Sequence, residues 1–244
     1  MNQNYQNRLC LFLDILGFSA LVKDEECSLV HQIILKIKRE LKSSKDYMEK
    51  IGSNPIATTF SDCIVLSIEV KNSDVEQASN ILVSATVKML QDIYLNQAVA
   101  LRGGMAYGKL YHKADGVFGP AMIKAYELES QFADWPRVIF DRSVIEYFSD
   151  KNGLQSIGFT NYGDGFWGVD CLNRIEDVLN LERLYLLERE PAKEYLGKLH
   201  NMVDITQIKL KQHYGNPKVY SKYLKLNVRM QSLLKKYDQI PVPI

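Results

Sequence analysis

Residues 9–16 read LCLFLDIL, apolar throughout except for one carboxylate, Asp14, and Gly17 follows at once. A run this short and this apolar is a strand buried on both faces, since a strand with one wet face would alternate with polar residues. A strand covered on both sides needs other elements layered against it, so the chain must build a layered fold around this segment.

The rest of the chain supplies those layers. Residues 28–51 are helical, with Leu29, Ile33, Ile34, Ile37 and Leu41 recurring at three- and four-residue steps. Two apolar runs, Ile56–Phe60 and Cys63–Val70, are separated only by Ser61-Asp62 and read as a tight β-hairpin. Residues 74–95 form a second amphipathic helix, and 97–113 predict two strands with the glycines at the bend. Gly119-Pro120 opens a third helix over 120–133, proline being tolerated in a first turn. Arg137–Phe140 is a short strand, and Asp141 caps a helix over 142–149. The order β-α-β-β-α-β-β-α-β predicts an α+β sandwich, ferredoxin-like or palm-like, with helices on one face of a mainly antiparallel sheet. Residues 150–172 read as loops and short strands, and 174–239 as helical. The expected organisation is one domain over 1–172 and a helical C-terminal extension over 173–244.

With 244 residues, 46% hydrophobic, the chain can bury one sizeable core with a small appendage. Its net charge of +1 gives no reason to expect DNA as a partner. No run approaches the roughly 20 apolar residues of a membrane span, and the first residues, MNQNYQNR, lack the apolar stretch of a signal peptide. Cysteines 10, 27, 63 and 171 are scattered without metal or disulfide spacing and read as reduced thiols, so a cytoplasmic protein is expected. His31, His112, His200 and His213 share no metal-ligand spacing and read as structural or surface residues. Residues 205–239 hold eight Lys or Arg against one acid, Asp238. They predict a solvated helical face opposite Ile208, Leu224, Val228 and Leu233.

The chemistry should lie at two aspartates. Asp14 interrupts the first apolar run, and Asp62 lies in the hairpin. Singly, one can be salt-bridged and the other can cap its own turn. Together, on neighbouring strands of a split βαβ sheet, they can converge on one divalent ion, since Mg²⁺ prefers one or two carboxylates plus substrate phosphates.

Four segments carry a resemblance. Phe12-Leu13-Asp14-Ile15-Leu16-Gly17-Phe18-Ser19 resembles the first metal motif of class III nucleotide cyclases, and Thr59-Phe60-Ser61-Asp62 their second. Leu101–Gly108 resembles their R-x-G-[IM]-x-x-G strand pair, and Val117–Ala125, ending in Leu128-Glu129-Ser130, their glycine-initiated helix. The motifs fall in the family's order over about residues 9–130. By position, the resemblance implies that Asp14 and Asp62 bind two divalent ions, Mn²⁺ or Mg²⁺, with the Ile15 carbonyl as a further ligand. It implies that the backbone of Leu16, Gly17 and Phe18 wraps the β- and γ-phosphates, and that Arg102 grips the triphosphate.

The departures narrow the substrate. Purine-specific members of the family carry a lysine where this chain has Thr58, and their second base reader falls at Gly116, one place from Asp115. Phe60 adds an aromatic face near the hairpin, although packing is its ordinary role. The family's Asn-x-x-x-Arg motif is replaced by Ile123 and Glu127. This combination is similar to the pyrimidine cyclases of bacterial Pycsar anti-phage systems. That likeness implies conversion of UTP, or CTP, to cyclic UMP or cyclic CMP by a homodimer, with a separate effector protein sensing the product. The other reading is a degenerate cyclase-like domain that binds nucleotide or a partner without turnover. The diguanylate cyclases, which need an acidic pair after Gly-Gly, are excluded by Met105-Ala106.

Overall fold

The computed structural model describes residues 4–71, 74–147, 159–185 and 189–237. Its first strand, β1 (Gln6–Ile15), shows why the opening run is apolar on both sides. Leu9, Leu11, Leu13 and Ile15 enter the main core, while Cys10 and Phe12 enter a smaller cluster on the opposite face. Asp14 falls on that second face, next in line after Cys10 and Phe12.

β1 lies between β3 (Cys63–Glu69) and β4 (Leu101–Lys113) and is antiparallel to both. The expected hairpin joins β2 (Pro55–Phe60) to β3 through Ser61-Asp62, with Ser61 at φ 52°. Beyond β4 come β5 (Gly116–Phe118), β6 (Val138–Phe140), β7 (Thr160–Asn161) and β8 (Trp167–Val169). The sheet order is β2-β3-β1-β4-β6-β8-β7, with β5 paired to β4; only β4 and β6 run parallel. The expected mainly antiparallel α+β architecture is therefore the observed one.

Helices α2 (Cys27–Lys50) and α3 (Val75–Gln97) follow the strands as expected, and a short helix that the sequence spacing did not indicate, α1 (Phe18–Asp24), precedes α2. The α2 stripe that enters the core is Val30, Ile37, Leu41, Ser44 and Met48. Leu29, placed on the apolar face by sequence spacing, is 42% exposed, because the core-facing register starts one residue later. On the second face, α4 (Pro120–Glu127) adds a partial layer through Ala121 and Ala125, so helices are not confined to one side.

The reading of 97–113 as two strands needs correction. β4 is continuous for 13 residues, and its glycines serve close packing within the strand. A Cβ on Gly103 would lie 2.2 Å from the Phe12 carbonyl oxygen, and one on Gly104 would lie 2.2 Å from that of Ala125. The reversal of the chain comes later, between Lys113 and Gly116. The third helix also differs: it is α-helical only to Glu127, and Leu128–Phe132 form a π-helix that carries Glu129 into the interior. Asp141 caps α5 (Arg142–Ile145) as expected, accepting from the Ser143 N–H at 2.9 Å. The expected helix over 142–149 is shorter, giving way to a turn at 146–147, while its last two residues and the expected loop over 150–158 lie outside the described residues.

Three helices close the chain: α6 (Asn173–Tyr185), α7 (Arg189–Gln212) and α8 (Pro217–Tyr237). They share the main core with the sheet through Leu199, Met202, Tyr223, Leu226 and Met230. Tyr94 of α3 and Thr206 of α7 join by a buried hydroxyl pair at 2.6 Å. The apolar stripe of α8 is Val219, Tyr223, Leu226, Met230, Leu233 and Leu234, a helical spacing. Leu224 and Val228, expected to be buried, are 42% and 62% exposed, as is Ile208 at 56%. The basic side chains beside that stripe are not merely solvated. Arg229 binds Asp170 at 2.7 Å and Glu176 at 2.9 Å, and Lys225 pairs with Asp134. These ion pairs to the sheet domain set the rotation of α8. No helix among the described residues is long and apolar enough to cross a membrane.

Candidate active site

The site is assembled where four elements meet. Register puts Asp14 directly opposite Cys63 on one side and Arg102 on the other, so all three side chains leave the same face of the sheet. Asp62 comes from the β2–β3 turn next to Cys63, and Glu129 from the π-helix above the sheet. Ligand atoms of Asp14, Asp62 and Cys63 all lie within 4.8 Å of one another. The two sequence-predicted aspartates are thus brought together, although 48 residues of chain separate them.

Arg102 is held inside this cluster. Its Nε and Nη2 donate to Asp14 Oδ2 at 3.1 and 3.0 Å, and Nη2 also lies 2.6 Å from Glu129 Oε1. Nη1 donates to the carbonyls of Ala133 at 3.2 Å and Glu129 at 3.4 Å. The arginine expected to grip a triphosphate has its fork engaged by two carboxylates and two carbonyls.

Asp14 and Glu129 share that single guanidinium, and Asp62 stands beside Asp14. Burial raises the Asp14 pKa, against the pull of Arg102, and the neighbouring Asp62 charge raises it further. Glu129 is pushed up to about 7 by burial; Arg102 opposes this and Asp14 reinforces it. Like charges this close resist ionising together unless a cation joins them. Burial, then the Asp62 and Asp14 charges, push the Cys63 thiol up to about 11, so it remains protonated at neutral pH. The donors left are carboxylate oxygens, the set preferred by Mg²⁺ and Mn²⁺. Asp14 and Asp62, with Glu129 beside them, fit a hard divalent ion. Glu129 escaped the sequence reading because its acid lies in an ordinary-looking helix, and only the π-turn brings it inward.

The loop after β1 is partly engaged. The Leu16 N–H already donates to the Ala100 carbonyl at 2.9 Å, so that amide cannot wrap a phosphate. Gly17 takes φ 77°, a left-handed conformation suited to glycine, and Phe18 begins α1. Ile15 closes β1 opposite Leu101.

Thr58 belongs to a buried polar relay that sequence reasoning did not find. Arg8 Nε donates to Ser67 Oγ at 2.9 Å, and Ser67 Oγ lies 2.8 Å from His112 Nδ1. His112 Nε2 in turn lies 3.0 Å from Thr58 Oγ1, and the ring tautomer sets which of the two donates. Burial, helped by the Arg8 charge, lowers the His112 pKa to about 4, so the ring is neutral. In the tautomer with the proton on Nε2, the Thr58 oxygen accepts from the ring and the hydroxyl hydrogen is left to donate outward. Gly116 lies near this relay, since Lys113, the neighbour of His112, pairs with it, and the space around its Cβ position is open. Asp115 accepts from the Tyr111 hydroxyl at 2.9 Å. Phe60, for which packing was the ordinary expectation, is 79% exposed, because β2 is an edge strand on the uncovered part of this face.

The architecture, an open, mostly antiparallel sheet with helices, matches the fold of solved adenylyl and guanylate cyclases. The adenylyl cyclase CyaB from P. aeruginosa matches with a TM-score of 0.50 at 15% identity, over 70% of this chain and 97% of that one. The guanylate cyclase domain of RhGC from Catenaria anguillulae, solved in complex with GTP, matches with a TM-score of 0.50 at 14% identity, over 69% of this chain and 99% of that one. No protein-family model matches the sequence, and no curated protein matches it.

Proposed function

We propose that the protein is a divalent-cation-dependent nucleotide cyclase that converts UTP, or CTP, to the 3′,5′-cyclic monophosphate and pyrophosphate. The observation that carries this reading is the convergence of Asp14 and Asp62, with Glu129 and Asp14 joined through Arg102, on a cyclase fold. The reaction joins the ribose 3′-oxygen to the α-phosphorus and breaks the bond to the β-phosphate oxygen. Two divalent ions bound at the carboxylates would supply Lewis acidity toward the 3′-hydroxyl and the phosphate oxygens. Asp14 and Asp62 hold those ions, Arg102 orients Asp14, and Glu129 can carry or release a proton near neutral pH.

For the base, His112 with its proton on Nε2 would donate to Thr58 Oγ1 and leave the Thr58 hydroxyl as a donor toward the base. Uracil offers the O4 acceptor to such a donor, whereas cytosine and adenine present amino donors at the equivalent edge. Guanine shares an acceptor there, so GTP belongs in the test. Purified protein with Mn²⁺ and equimolar UTP, CTP, ATP and GTP should yield cyclic UMP as the main product, resolved by mass. Cyclic AMP or cyclic GMP as the main product overturns the pyrimidine reading; absence of any cyclic product overturns the cyclase reading.

The exposed Phe60, Ile123 and Tyr126, on the face that α4 half covers, support a homodimer in which a second copy completes the site. Light scattering should give twice the 28.0 kDa chain mass. The likeness of sequence motifs to Pycsar cyclases supports a role in bacterial antiviral signalling, with a separate effector sensing the cyclic nucleotide. A specific observation favours the second reading, a binding domain without turnover. Ile123 and Glu127 stand where the family carries Asn and Arg, and Arg102 is already engaged. Binding of Mn²⁺ and UTP without product would identify it.

A further inference from the structure

The basic stripe of α8 is used differently along its length. Lys225, Arg229 and Lys236 each pair with carboxylates of the sheet domain or α6. Lys222, one turn before Lys225 on the same side of the helix, is half-buried, yet it makes no hydrogen bond or ion pair among the described residues. Its position is defined by its neighbours. Val219, three residues earlier on α8, packs over Gly17, with Val219 Cγ1 3.4 Å from where a Gly17 Cβ would be. The first turn of α8 therefore lies on the loop that follows Asp14.

The charges of Arg102, Lys218, Glu129 and Asp14 all act on Lys222. Burial lowers its pKa, Arg102 and Lys218 lower it further, and Glu129 and Asp14 raise it by less. A half-buried ammonium without a partner is costly to keep unless it meets an anion in function. Arg102 cannot supply that contact while its donors serve Asp14, Glu129 and two carbonyls. An anion drawn to cations at the carboxylate site would find Lys222 within reach of the same charges, with exposed Lys218 one turn behind it.

We infer that Lys222, with Lys218 behind it, is the polyphosphate contact of the site, so that the C-terminal helices complete the active site of the sheet domain. This rests on the reading of the site as one for a nucleoside triphosphate. It assigns to α8 the phosphate role that sequence position suggests for Arg102.

The test uses the full chain with Mn²⁺ and inorganic tripolyphosphate as the probe, followed by calorimetry. Lys222→Met should weaken tripolyphosphate binding about 10- to 100-fold, the usual cost of losing a charged hydrogen bond. Lys222→Arg should stay within a few-fold of wild type, and Lys235→Met, on an exposed part of the same helix, should not change it. The melting temperature of Lys222→Met should match wild type, because no protein partner is lost; Lys222→Gln serves if the methionine variant does not fold. Wild-type affinity in Lys222→Met and Lys222→Gln overturns this inference and leaves the cyclase reading standing. Failure of the wild-type protein to bind tripolyphosphate or any of the four triphosphates with Mn²⁺ overturns both.

Discussion

Asp14 and Arg102 stand directly opposite each other across the β1–β4 ladder, and the guanidinium closes on one carboxylate oxygen, Oδ2, at 3.1 and 3.0 Å. The second oxygen, Oδ1, is left outside the guanidinium contact. One residue of the proposed cation site is therefore oriented by another, and the same arginine also holds Glu129.

Removing that arginine should be severe. Arg102→Met leaves two largely buried carboxylates without their counter-charge, which typically costs about 3–5 kcal/mol. Urea unfolding with and without Mn²⁺ checks this. The loss should shrink when the ion is present, because the ion replaces the missing positive charge. Equal losses under both conditions would remove Asp14 from the cation site.

Asp14→Ala and Asp62→Ala should each abolish Mn²⁺ binding and cyclic-nucleotide formation while leaving the far-ultraviolet circular dichroism unchanged. Asp62 sits in a turn outside the core, so its variant is the cleaner one. Near-wild-type turnover in either variant would show that the metal assignment is wrong.

Glu129 makes a pH-dependent prediction. Its folded pKa, about 7, lies above its ordinary value of 4.5. Between these values the folded state keeps a proton that the unfolded chain releases, so the Glu129 contribution to stability falls as pH rises through this window. Buried His112, lowered from 6.5 to about 4, works in the opposite sense: its contribution falls as pH drops below 6.5. Comparing melting temperatures of wild type and Glu129→Gln from pH 5 to 8 cancels the His112 part. The wild type should lose ground relative to the variant as pH rises, and Mn²⁺ should reverse that loss. Parallel curves without Mn²⁺ would mean that Glu129 is ionised throughout.

Gly104→Ala should destabilise the protein by at least about 1–3 kcal/mol, the usual cost of overpacking. The new methyl group would meet the Ala125 carbonyl oxygen at 2.2 Å and the Leu128 Cβ at 2.6 Å, and neither is the free end of a flexible side chain. Because both lie on the segment that presents Glu129, Mn²⁺ affinity should fall along with the melting temperature. A variant as stable as wild type would show that α4 moves freely off the sheet.

Thr58→Val removes the hydroxyl that pairs with His112 Nε2 while keeping the side-chain shape. A buried polar group left without its partner costs about 1–3 kcal/mol. The proposed base preference should weaken in parallel, read as the ratio of cyclic products in competition. An unchanged ratio would take Thr58 out of base recognition.

Sequence by itself determined the elements whose signals are local. The apolar run with Asp14, the hairpin turn at Ser61-Asp62, the Pro120 helix start and the Asp141 cap depend on neighbours a few residues away, and each stands where expected. The convergence of Asp14 and Asp62 was also legible, because strand and hairpin order predicts adjacency. What only the tertiary structure decided are the pairings over long separations. Arg102 reaches Asp14 across 88 residues, and Arg229 reaches Asp170 across 59. Glu129 faces inward through a π-turn that no side-chain periodicity announces. Rotation of α8 was equally out of reach, since apolar residues lie on more than one side of it, and ion pairs with a distant surface select which side is buried. Local spacing encodes the direction in which a side chain leaves its own element; the partner it meets there depends on how the other elements pack.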